Sequence, residues 1–182
     1  MAKLVSKTYA EALFEVAMEE QKADEFLEEA QAILTVLEQN PELNKLMKHP
    51  KISKAEKEQV LDNVFQGRVS REIAGFMKLL IKKERYNELP SIFQCFIDRM
   101  KEEKKIGVAY VSTAVELSEG KKAAVKQRLL DTTQYVKMEM HYEVDETLIG
   151  GMVIRIGDRV VDSSVRTKLE EMKKQLLQIQ LG

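Results

Sequence analysis

The sequence predicts an α+β chain: an N-terminal all-α six-helix bundle over residues 1–105, then a small C-terminal β-α-β-β-α domain over residues 106–182. Three observations carry this expectation. Pro41, Pro50 and Pro90 all precede residue 106, whereas six of the eight glycines follow it. Up to Lys105, apolar residues recur at helical spacing between caps and breakers. From Ile106, β-branched residues and period-two alternation take over. With 44% apolar residues in 182, each part has the material for a core.

The first helix spans about Lys3 to Glu20 and the second about Ala23 to Gln39. Asn40 is expected to cap a short third helix with Pro41 in its first turn, and the extended backbone favoured before Pro50 stops that helix by His49. Ser53 and Glu56 form a capping box for the fourth helix, which satisfies two amides that a helix start leaves orphaned. Gly67 supplies the left-handed conformation that ends it. The fifth helix runs from about Ser70 to Glu84 and the sixth from about Glu88 to Lys104, joined by short antiparallel connections.

The second part opens with a strand over Val108–Val115, followed by a helix capped by Ser118 that reaches about Thr133. Val136, Met138, Met140, Tyr142 and Val144 then alternate with Lys137, Glu139, His141, Glu143 and Asp145, giving a strand with one apolar and one polar face. Gly151–Ile156 and Arg159–Val161 read as a hairpin turning at Gly157-Asp158. Asp162 or Ser163 is expected to cap a last helix. Its Val165, Leu169, Met172, Leu176 and Ile179 make one apolar stripe.

Composition excludes several functions. A net charge of −1, from 29 Lys+Arg against 30 Asp+Glu, lacks the basic excess of a general nucleic-acid binder. The recurring Lys45, Lys48, Lys51, Lys54 and Lys57 read as a solvated edge interrupted by Pro50. Two histidines and one cysteine leave few parts for a metal site or a nucleophilic relay, and Cys95 among Ile92, Phe93 and Phe96 reads as a small buried hydrophobe. No cofactor is expected, and no carboxylate pair is marked out for acid-base catalysis. The longest apolar stretch, Leu148–Ile154, falls far short of the ~20 residues that span a bilayer, and a lone cysteine behind an opening without a long apolar core suits a reducing cytosol.

Two helices are more apolar than a bundle requires. On the first, Val5, Tyr9, Ala10, Ala12, Leu13, Phe14, Val16, Ala17 and Met18 cover an arc of about 240°, against the roughly 100–160° that one core face needs. The fifth carries Ile73, Ala74, Phe76, Met77, Leu79, Leu80 and Ile81, with Lys78, Lys82 and Lys83 as its polar side. Such helices either lie at the centre of the bundle or form a groove for a partner's amphipathic helix.

The most informative stretch runs from Leu148 to Leu169. Gly150, Gly151, Arg155, Gly157, Asp158, Asp162, Ser164, Val165 and Leu169 serve mainly structural ends there, as strand entry, turn and helix cap. The glycine spacing follows no nucleotide-binding motif. Their order resembles the signature of the delta subunit of bacterial F-type ATP synthase, a relative of the mitochondrial oligomycin-sensitivity-conferring protein. Tyr9-Ala-Glu-Ala-Leu-Phe14 and Arg85-Tyr-Asn-Glu-Leu-Pro90 extend the likeness over the chain.

The resemblance implies a non-catalytic peripheral-stalk subunit, one copy per complex and a monomer when isolated, at the cytoplasmic face of a bacterial cell membrane that it reaches only through partners. It implies that helices one and five receive the N-terminal helix of an alpha subunit, for which Tyr9, Ala12, Leu13, Val16, Leu79 and Leu80 are the candidates here. It also implies that the C-terminal domain holds the C-terminal ends of the b subunits, with Met172 and Leu176 as candidates. Most of the last helix's apolar residues are expected to serve the domain's own core. A helical RNA-binding or transcription adaptor and a small carboxylate enzyme are the competing readings. Binding that falls steeply with salt would mark the adaptor, and activity of the isolated chain the enzyme.

Overall fold

The computed structural model describes residues 2–49, 51–65 and 67–179, and divides the chain into two compact units between Lys101 and Glu102. The first unit consists of α1 (Ala2–Glu19), α2 (Ala23–Gln39), α3 (Pro41–Lys48), α4 (Lys54–Phe65), α5 (Arg71–Lys82), a 3₁₀ turn at Tyr86–Glu88 and most of α6 (Leu89–Glu103). The division falls in the last turn of α6, just before the first strand. Pro50, on which the expected stop of α3 rests, lies outside the described residues.

Local chemistry explains most of these boundaries. The capping box forms: the Ser53 amide and hydroxyl each donate to Glu56 at 2.8 Å, and the Glu56 amide donates back to the Ser53 hydroxyl at 3.3 Å. Asn40 does not act as expected, since its side chain makes no bond to α3 and instead donates to the Val36 carbonyl at 2.8 Å, closing α2. The two helices abut so closely that the nearest orphaned group is a carbonyl behind Asn40, not an amide ahead of it. Gln21 and Glu84 take φ of 55° and 59° just past α1 and α5. There the Lys22 amide reaches Ala17 and the Arg85 amide reaches Leu80, so both helices end in left-handed caps without glycine.

The core of this unit is aromatic and branched: Phe26, Ile33, Ile73, Leu80, Phe93 and Phe96 are essentially sealed from solvent. Cys95 is half-buried at its margin rather than within it. Tyr86 is buried as well, and burial pushes its hydroxyl up to about 12 from the usual 10.0. Between these two values the unfolded chain loses its proton first, so folding stability declines as pH rises, by up to about 1.4 kcal/mol per pH unit. Denaturant titration across pH 9 to 12 is expected to show this alkaline decline, and Tyr86→Phe to flatten it.

The second unit contains β1 (Ile106–Thr113), α7 (Glu119–Thr132), β2 (Lys137–Val144), a 3₁₀ turn at Glu146–Leu148, β3 (Met152–Ile156), β4 (Arg159–Asp162) and α8 (Val165–Ile179). The class is the one expected, with both arms of the hairpin standing as strands, so the order reads β-α-β-β-β-α. The sheet order is β2-β1-β3-β4, with β1 parallel to β2 and antiparallel to β3. Residues 107, 109, 111 and 113 of β1 are buried, on the face they share with Met138, Met140 and Tyr142. There the Tyr142 hydroxyl donates to the Lys122 carbonyl of α7 at 3.1 Å. Val136 and Val144, expected on the same apolar face, are exposed, because one lies outside the edge strand β2 and the other at its end. On the opposite face the register aligns Val160, Arg155, Tyr110 and His141 in one row across all four strands. The Arg155 guanidinium lies 5.0 Å from the Tyr110 ring centre, and His141 stacks on the same ring at 4.9 Å.

Candidate partner-binding surfaces

In the first unit, α1 turns Ser6, Ala10, Leu13, Phe14 and Ala17 into the core. Arg99 of α6 lies over the Phe14 ring at 4.5 Å, and its Nε stands 3.6 Å from Glu11, closing that side of the helix. A second stripe remains outside the core. By the 100° helical step, Val5, Tyr9, Ala12 and Val16 fall within about 60° of one another, beside the buried face. Ala12 is exposed, Val16 is 38% exposed, and Val5 and Tyr9 are half-buried.

Across from this stripe, α5 presents Phe76 and Leu79. Tyr9 meets Phe76 edge-to-face at 6.3 Å, and Phe76 meets the buried Phe93 at 6.0 Å, so a run of rings leads from the surface into the core. Lys22, just past α1, pairs with Glu72 in the first turn of α5 at 2.8 Å. That hydrogen bond holds the lysine above its usual pKa and the glutamate below it. The two contacts bring the middle and the end of α1 toward the first turns of α5. At the N-terminus of α5, the Ser70 hydroxyl accepts from the Ile73 amide at 3.4 Å, while its own amide and hydroxyl donate to Glu29 of α2 at 2.7 Å.

Of the six residues expected at the alpha-facing groove, Tyr9, Ala12, Val16 and Leu79 reach this surface. Leu13 and Leu80, 3% and 0% exposed, do not. They belong to the core, because a broad apolar arc gives no sign of which part of it the neighbouring helices cover. Phe76 and Val5 join the surface. Both stand in the apolar arcs of the sequence, and Phe76 becomes recognisable only through its contact with Tyr9.

In the second unit the signature residues build the hinge between sheet and last helix. Gly151 takes a φ of 77° with the Ser163 carbonyl against it, and Gly157 takes 56° in the hairpin turn beside Asp158. The α8 cap is Ser164, not Asp162 or Ser163. Ser164 is 1% exposed, and its hydroxyl accepts from the Thr167 amide at 3.3 Å. Asp162 ends β4 and accepts from the Ser164 amide at 2.8 Å and the Thr167 hydroxyl at 2.7 Å, bonds that hold its carboxyl below the usual range. The Ser163 hydroxyl donates to the Met152 carbonyl, and the Val165 amide to that of Gly150. Ser164→Ala is expected to cost about 1 kcal/mol in thermal unfolding and to speed hydrogen exchange in the first turn of α8.

The apolar stripe of α8 is where expectation and structure part furthest. Val165, Leu169, Met172 and Leu176 are 38%, 51%, 59% and 65% exposed, so the domain's own core does not use them. The unit's buried side chains lie on β1, at Met138 of β2, and at Leu148 and Ser164, which leaves the helix face open. The side chain of Ile179 lies outside the described residues.

Among the described residues there is no group of His, Cys, Asp and Glu placed to hold a metal ion, and no helix long and apolar enough to cross a membrane. Two compact units, each with apolar surface that its own core leaves over, mark a chain suited to binding other proteins. The chain belongs to the ATP synthase delta (OSCP) subunit family, whose model matches residues 5–176. It is a non-catalytic subunit of the ATP synthase peripheral stalk. A protein of Lachnoclostridium phytofermentans named ATP synthase subunit delta is 53% identical over 182 residues, covering the whole of both chains. The subunit delta of Alkaliphilus metalliredigens is 32% identical over 180 residues, 98% of this chain and 99% of that one. A chain of the Toxoplasma gondii mitochondrial ATP synthase hexamer shares the fold, with a TM-score of 0.77 at 19% identity over 94% of this chain and 97% of that one. The family match over residues 5–176, with the 53% identical relative over the whole chain, displaces the RNA-adaptor and carboxylate-enzyme readings.

Proposed function

We propose that the first unit receives the N-terminal helix of an alpha subunit between α1 and α5, while the second holds the C-terminal ends of the b subunits on α8. The chain then links the catalytic head to the membrane-anchored stalk at the cytoplasmic face of the bacterial membrane. It is present once per complex and is a monomer on its own. The observation that carries this reading is the second apolar stripe of α1, Val5, Tyr9, Ala12 and Val16, left outside the core opposite Phe76 and Leu79. Two adjacent apolar strips on neighbouring helices are the complement of one amphipathic helix.

The mechanical demand is plain. Torque from a rotating shaft turns the catalytic head unless the head is held, and two attachments in series are only as strong as the weaker. Each must therefore be slow to dissociate, which suits apolar contacts on the scale of a standard interface, about 1,600 Å² in total. Calorimetric titration of the full chain with a peptide covering the N-terminus of its own synthase's alpha subunit is expected to give saturable one-to-one binding. Absence of binding by the folded chain overturns the head-facing half of the proposal.

A further inference from the structure

The exposed stripe of α8 has a stricter spacing than an ordinary amphipathic face. Val165, Leu169, Met172 and Leu176 step by four, three and four residues, which is the a/d repeat of a coiled-coil seam. Their helical angles fall within about 60° of one another, narrower than the stripe a helix shows to a globular core. The partner that fits a seam of this width is a single helix packed side by side.

The residues flanking the seam say what that helix carries. Coiled-coil partners meet through the positions on either side of the a/d stripe, where opposite charges attract and like charges repel. Here those positions are Arg166 and Lys173 on one side, Lys168 and Gln175 on the other. Three are cationic and none is acidic. The acidic residues of the helix, Glu170 and Glu171, lie away from the seam, and Glu170 stands 3.4 Å from Arg166. Arg166 also reaches the Thr147 hydroxyl at 3.5 Å, tying its guanidinium toward the start of the helix. Lys168 and Lys173 are both exposed.

We infer that α8 docks a helix whose own apolar seam is flanked by carboxylates, and that Lys168 and Lys173 select it by charge. This rests on the proposal that the C-terminal ends of the b subunits bind α8, and adds the chemistry by which they are recognised. The overall charge of −1 hides this surface, because the cations are gathered beside the seam while the acids are dispersed.

The test is titration of the full chain with a peptide from the C-terminal region of its own synthase's b subunit, at low and high salt. Three variants accompany the wild type: Met172→Asp in the seam, the double reversal Lys168→Glu/Lys173→Glu at its flanks, and Lys174→Glu on the outer face. Circular dichroism checks that each is folded. Met172→Asp is expected to abolish binding. The double reversal is expected to weaken it about tenfold at low salt, with most of the difference gone at 0.5 M salt, while Lys174→Glu changes it less than twofold. Binding lost in Met172→Asp but unchanged by the double reversal overturns the charge selection and leaves α8 as the docking helix. Binding indifferent to Met172→Asp, or no binding at all, overturns the docking reading itself.

Discussion

Ala12→Asp is expected to weaken binding of the alpha-subunit N-terminal peptide by at least about 100-fold, while thermal unfolding shifts by no more than about 1 kcal/mol. Ala12 is exposed on α1, so the substitution meets solvent in the free protein and costs only helix propensity and mild repulsion from Glu15 one turn on. In the proposed complex the same carboxylate would be covered by the apolar face of the partner helix, and losing its hydration would cost several kcal/mol. Leu79→Asp should reproduce the loss from the opposite wall. Leu13→Ala serves as the contrast: at 3% exposure it belongs to the core, so its effect appears as about 2–4 kcal/mol of lost stability with no selective loss of affinity. Equal affinity of a folded Ala12→Asp variant would place the occupant elsewhere.

Gly151→Ala is expected to be the most damaging small substitution in the second unit, at about 3 kcal/mol or more. The left-handed backbone at a φ of 77° costs an L-residue about 1–2 kcal/mol by itself. The added methyl carbon also meets three main-chain atoms, the Ser163 carbonyl oxygen, the Ser163 carbonyl carbon at 3.1 Å and the Ser164 Cα at 3.0 Å, and none of them can rotate away. Relief requires moving the Ser163–Ser164 segment. That breaks the bonds from the Ser163 amide to Met152 and from the Val165 amide to Gly150, and disturbs the cap of α8. Hydrogen-exchange mass spectrometry should show protection lost across β3, β4 and the first turns of α8. Helices α1 to α5 should exchange as in the wild type, since they fold around a separate core.

The starts of α4 and α5 were legible in the sequence, whereas at α8 the capping serine is Ser164 rather than the expected Asp162 or Ser163, and Ser118 before α7 makes no side-chain capping bond. Ser53 with Glu56 and Ser70 before α5 act within four residues, so spacing alone reveals them. Helix ends were less so, because Gln21 and Glu84 adopt the left-handed cap that glycine ordinarily marks. The roles of Asn40 and Asp162 depend on which orphaned group lies nearest, a carbonyl of the preceding helix in one case and the Ser164 amide in the other. Burial was the least legible property. Leu13 and Ala12 are neighbours in one apolar arc, yet one is sealed and the other open. The stripe of α8, apolar and helically periodic, faces outward. Periodicity tells that a face is apolar, whereas what covers it is decided by elements distant in the chain.

The division of the chain at residue 101 also bears on the order in which the protein is made. Every helix of the first core is encoded before any strand of the sheet, so that core can close while the remaining stretch of about 80 residues is still being translated, an interval of about 4–16 s at ordinary elongation rates. The sheet has no such head start. Its central strand β1 emerges first but pairs with β2 beyond α7 and with β3 beyond that, so it must wait for most of the unit to leave the ribosome. A released fragment ending near residue 105 should therefore fold by itself around the helical core, whereas the sheet stays unpaired until β2 and β3 have also emerged.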